Sequence, residues 1–147
     1  MTSWRDGLSQ DALDDLDRLL DSALSLAKAN LDSSRKVFDP FAIVVDTQGR
    51  LLGTEWDTSA FGRHPDVEQL LSAALVQLRE LGSTVRATAL VIDAELAEDH
   101  SSAVEVRLEH REGVARVVLL RYKRATFGPA LEFGELSAFP GTPEVWT

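Results

Sequence analysis

The stretch Phe41-Ala-Ile-Val-Val-Asp-Thr-Gln-Gly-Arg-Leu-Leu-Gly53 decides the fold. A β-branched apolar run, Phe41 to Val45, breaks at Thr47-Gln48-Gly49-Arg50 and resumes at Leu51-Leu52. That is the pattern of a hairpin in which a glycine supplies the positive φ of a tight turn. Pro40 biases Asp39 toward an extended conformation and leads the chain into the first strand.

Outward from this hairpin, an amphipathic helix is expected on each side. From Ser9 onward the residues Leu13, Leu16, Leu19, Leu20, Ala23, Leu24, Leu26, Ala27 and Leu31 recur at spacings of three and four and draw one apolar stripe, and the helix is expected over Ser9 to Asn30. Ser9 is the candidate N-cap, with Asp11, Asp14 and Asp15 at the positive end of the helix dipole and Lys28 toward the negative end. The acidic edge Asp11, Asp14, Asp17 and Asp21 reads as a solvated face, with a docking strip as the alternative. After the hairpin, Pro65 opens a second helix in which Val67, Leu70, Leu71, Ala74, Leu75, Leu78 and Leu81 repeat until Gly82. His64, just before it, is expected to help cap it.

Three more strands follow. Ala87 to Ile92 is a buried run that ends in the acidic loop Asp93 to His100. Val104, Val106 and Leu108 alternate with Glu105, Arg107 and Glu109, and Glu112-Gly113 turn the chain into Val114 to Tyr122. The segment 126–147, rich in Gly, Pro and aromatics, is expected to wrap over the sheet, with an edge strand at Leu131 to Leu136. The fold class is therefore α+β: one domain, 1–147, with five antiparallel strands, or six if the tail adds one. The order is α-β-β-α-β-β-β, and both helices are expected on one face of the sheet.

That order resembles the roadblock-type dynein light chains and their prokaryotic relatives. The turn Asp46-Thr-Gln-Gly49 is similar to the strand-turn-strand that opens the sheet there. The likeness covers most of the first 125 residues, while the connection Gly53 to His64 and the tail from Phe127 depart from it. It implies an antiparallel five-stranded sheet, often dimerised, that serves as a platform for small GTPases or other partners. It transfers no functional residue. The runs Arg86 to Asp93 and Ala103 to Gly113 also resemble small bacterial proteins to which no activity attaches.

Composition narrows the function. The chain has 147 residues, 44% hydrophobic and 27% charged, enough for one core. With 24 acidic against 15 basic residues its formal charge is −9, which disfavours nucleic acid and anionic membranes and suits a basic partner. It has no cysteine, so neither a disulfide framework nor a thiolate metal site is expected. No apolar run reaches the roughly 20 residues needed to span a bilayer, and Met1 to Gly7 lacks a signal-peptide core, so a cytoplasmic location is expected. Only three of the fifteen basic residues are lysine (Lys28, Lys36, Lys123), a bias typical of GC-rich bacterial genomes.

Residues that could carry chemistry are sparse. His64, His100 and His110 are too scattered for a zinc site, and His110, at a hairpin end, reads as a turn or surface residue. Glu109 and His110 are strand neighbours, so they point to opposite faces. The carboxylates Asp93, Glu95, Glu98 and Asp99 could attract a divalent cation, but they lack the glycine and closing glutamate of an EF-hand loop. No nucleophile elbow, phosphate loop or dinucleotide fingerprint is present, and no catalytic residue, metal ligand or cofactor is assigned.

The leading expectation is a non-catalytic interaction protein or regulator that docks a basic protein or a second copy of itself. An immunity or antitoxin protein would be one form of it. Its candidate binding residues are the surplus aromatics Trp56, Phe61, Phe127, Phe133 and Trp146. Two alternatives stand beside it. One is a small-molecule sensor with a pocket between sheet and helices lined by Phe38, Phe41 and Trp56. The other is a small hydrolase or isomerase using Asp46, Asp93 or Glu109.

Overall fold

A computed structural model describes residues 8–33, 38–54, 62, 65–124 and 131–147. The elements run α1 (Gln10–Ser33), β1 (Phe41–Asp46), β2 (Leu51–Gly53), α2 (Val67–Glu80), β3 (Val85–Glu95), β4 (Ser102–His110), β5 (Val114–Arg124) and β6 (Leu131–Pro140). All six strands form one antiparallel sheet in the order β2-β1-β3-β4-β5-β6. The fold is α+β.

α1 begins where the sequence places it, whereas α2 starts at Val67 and leaves Pro65, expected to open it, just outside. Ser9 Oγ accepts the Ala12 amide at 3.1 Å and caps α1. The cap of α2 is Asp66 rather than His64: its carboxylate accepts the Gln69 amide at 2.8 Å while the Gln69 side chain accepts the Asp66 amide at 3.0 Å. That reciprocal pair satisfies two donors which a helix start leaves without partners. His64 itself lies outside the described residues.

The β1–β2 hairpin is built around Asp46. Its carboxylate accepts the amides of Gln48 and Arg50 at 2.9 and 2.8 Å and pairs with Arg50 Nε at 2.7 Å. Gly49, at φ +84°, supplies the left-handed residue that the turn requires.

The expectation that both helices share a face is overturned. Strand residues alternate between faces, and the two cores take alternate residues. Ile43, Val45, Ala89 and Val91 pack with Leu16, Leu19, Leu20, Ala23, Ala27 and Leu31 of α1. Ala42, Val44, Leu90 and Ile92 pack with Ala74 and Leu78 of α2. The helices flank the sheet. The physical reason is readable afterwards: β1 and the central run Ala87 to Ile92 of β3 are buried on both faces and almost wholly apolar, and one helical layer covers only one face.

The second face is shared between α2 and the C-terminal segment after β6. Val145 and Trp146 pack against the α2 core, so the expected wrap exists and lies beside α2. The edge strand is also longer than expected, running to Pro140 rather than to Leu136.

Candidate functional site

Glu109 and His110, at the end of β4, show how the two faces are fastened. Their side chains do point to opposite faces, and both are buried, at 6% and 3% exposure. His110 is therefore not the turn or surface residue that its place in the sequence suggests.

On the α1 face, His110 Nε2 lies 3.0 Å from Asp15 Oδ2, and Arg86 grips the same carboxylate through Nε at 2.8 Å and a terminal nitrogen at 2.9 Å. Nδ1 of His110 accepts the Glu112 amide, so Nε2 is the ring nitrogen that donates to Asp15. Burial pushes the Asp15 carboxyl upward, but the Arg86 and His110 contacts outweigh it and hold the group below its ordinary value of 3.8. A bulge aims Arg86 at this site. Asp46 pairs with Val85 and Val45 with Ala87, leaving Arg86 as the extra residue. The sequence carried one signal for the cluster: Asp15 sits three residues after Ala12 and four before Leu19, a charge inside the apolar stripe.

On the opposite face, the Glu109 carboxylate accepts three successive backbone amides, those of Glu144, Val145 and Trp146, at 2.7 to 3.1 Å. The Trp146 indole donates to the Gly82 carbonyl at 3.1 Å, and Arg79 Nε donates to the Glu144 carbonyl at 2.7 Å. Arg107, half-buried, pairs with Glu105 at 2.6 Å and Glu144 at 3.3 Å. Between this strap, Leu75 and Leu78 of α2 and the sheet lies a cavity of ≈ 360 Å³.

The remaining carboxylates considered for catalysis are engaged as structural acceptors. Asp46 organises its hairpin, and the backbone bond from Arg50 is the main cause that holds its carboxyl low. Asp93 accepts the Tyr122 hydroxyl and the Phe38 amide. Burial, reinforced by that aspartate, raises the Tyr122 phenol to about 12. In the acidic loop, Asp99 accepts the Ser101 amide and pairs with Arg121, while Glu95 meets His100. Among the described residues no group of three or more His, Asp or Glu side chains is placed to hold a metal ion.

Of the candidate binding aromatics, Trp56, Phe61 and Phe127 lie outside the described residues. Phe133 stacks against Tyr122 on the α1 face with Lys28 Nζ 5.0 Å above its ring. Trp146 belongs to the strap on the other face. The structure does not bring these two together. Phe38 and Phe41 stack on each other at 5.6 Å and pack against the α1 core, and neither lines the cavity by α2.

What the structure exposes instead is β6. Among the described residues it forms one edge of the sheet, with eight of its ten residues in register with β5 and Gly134 and Glu135 left at a bulge. The row Ala42–Leu90–Arg107–Val117–Phe139 crosses the α2 face, and Leu136 lies beside Leu120 on the α1 face. Phe139 and Leu136 end these rows 48% and 52% exposed. The opposite edge, β2, is three residues long.

No family model, curated protein or solved structure matches this chain. No helix among the described residues is long and apolar enough to cross a membrane.

Proposed function

We propose that the chain is a non-catalytic interaction module that docks a protein partner along β6 by strand addition. The observation that carries this reading is a ten-residue edge strand that is exposed over most of its length and keeps apolar side chains on both faces. Such an edge presents a ladder of backbone donors and acceptors ready for another strand, and proteins ordinarily blunt it with shortness, lysine or covering structure. β6 has no lysine and is long; its gatekeepers are Glu132, Glu135 and Pro140. The structural employment of Asp46, Asp93 and Glu109 supports the same reading. A hydrogen-exchange footprint with a captured partner tests it: protection at 134–140 is expected, and protection confined elsewhere refutes it.

The cavity by α2 favours a second reading, a small-molecule sensor. Its ≈ 360 Å³ falls within the size range of ligand sites, and its lining sets Leu75, Leu78, Leu90 and Val145 beside the charged groups of Glu105, Arg107 and Glu144. Thermal shifts across a metabolite panel test it. A ligand that raises Tm in the native chain but not after Leu78→Trp would establish occupancy there.

A further inference from the structure

We propose, resting on the sensor reading of the cavity by α2, that this cavity takes a free α-amino acid with an apolar side chain. The selection lies in how its charged groups are bonded. Arg107 gives Nε to Glu105 at 2.6 Å, whereas Nη1 reaches the two Glu144 oxygens only at 3.3 and 3.5 Å. Those are longer than the roughly 2.7–2.9 Å of a well-made charge-assisted bond. Nη2 bonds no described residue. A guanidinium edge with donors to spare thus stands beside a loosely held carboxylate.

Glu144 is built to change partner. Its amide is fixed on Glu109 and its carbonyl on Arg79, so its side chain can turn from Arg107 while the strap stays fastened. A ligand carboxylate on Nη1 and Nη2 forms the bidentate pair that Arg107 lacks, and an adjacent ammonium answers Glu144. Either group alone fits worse. A plain carboxylate adds a third anion beside Glu105 and Glu144, while a plain amine adds a cation beside Arg107 and Arg79 and leaves Nη2 without an acceptor. The zwitterion brings no net charge. Its side chain lies among Leu75, Leu78, Leu90 and Val145, in a cavity whose ≈ 360 Å³ suits a small ligand.

The test is calorimetric titration of the full chain with leucine, with isocaproate, which is leucine without its amine, and with isoamylamine, which lacks the carboxylate. Leucine is expected to bind at least about tenfold more tightly than either analogue. Glu144→Gln keeps the backbone bonds of the strap and should weaken leucine while sparing isocaproate. Leu78→Trp should abolish leucine binding by filling the cavity. Equal or tighter binding of either analogue overturns the amino-acid inference and leaves the sensor reading standing. Leucine binding that survives both variants overturns the inference, because it places the ligand elsewhere. Failure of leucine, valine, methionine and phenylalanine to bind at about millimolar concentration overturns it as well. If no other metabolite then gives a Tm shift that Leu78→Trp removes, the sensor reading falls with it.

Discussion

The two faces of the sheet are covered by different physics. On one, a 24-residue helix lays a continuous leucine stripe on β1, β3 and β4, and the polar cluster of Asp15, Arg86 and His110 closes one end. On the other, a 14-residue helix covers only the β1–β3 part, and a strap of irregular chain covers more, held by backbone amides on one carboxylate. Helix burial is nondirectional and tolerates sliding, whereas amides on an anion fix position at the cost of depending on one residue. The first cover should carry the stability of the whole fold. The second should be able to open alone.

The largest expected effect breaks the first cover. Leu16, fully buried, becomes a cavity in Leu16→Ala, and chemical denaturation should show about 3 kcal/mol lost across the whole molecule. Glu109→Ala should cost about 2 kcal/mol, because three amides lose a charged acceptor. Its signature is regional: amide exchange at 144–146 should accelerate sharply while α1 amides keep their protection. If Glu109→Ala lowers global stability as much as Leu16→Ala does, the proposed independence of the two covers fails.

Acid sharpens the comparison further. Asp15 is held below its ordinary value in the folded chain, so its contribution is present above the unfolded carboxylate range and is lost as pH falls through that range and below. In Asp15→Asn the neutral-pH stability should fall by about 1–2 kcal/mol, and the acid limb of the stability curve should flatten. A limb unchanged in slope would assign it to other carboxylates.

The smallest effect is spectroscopic. Tyr122 is the single tyrosine, so tyrosinate absorbance follows it alone. Its phenol is raised to about 12, so this contribution is complete below the unfolded value near 10 and is lost as pH climbs through about 12. Asp93→Asn should move the midpoint downward, and an unmoved midpoint would leave burial as the whole cause.

Much of this architecture is legible from residue order. The α1 stripe, the Gly49 turn, the alternation in β4 and the Glu112-Gly113 hairpin each impose a periodicity or a turn that a short window contains. The face of each helix is not legible that way, because a strand apolar on every position looks the same whichever side is covered first. The locks were hidden for a related reason. His110 and Glu109 meet partners 95 and 35 to 37 residues away, and no local spacing signals such a contact. Surplus aromatics pointed to the tail, yet Trp146 anchors a strap, and the exposed apolar surface came from Leu136 and Phe139 of a strand that was expected to be shorter.

Adjacent residues with unlike chemistry at the end of β4 also act as a registration mark for the whole sheet. Sliding β4 by a single residue would turn the glutamate under α1 toward Asp15, two anions out of water, and would offer an imidazole to the waiting amides of the strap. The same slip would carry Glu105 and Arg107 under α1 in place of Val104, Val106 and Leu108, so the whole alternation of β4 resists it. The adjacent pair at its end adds two groups that neither face can exchange.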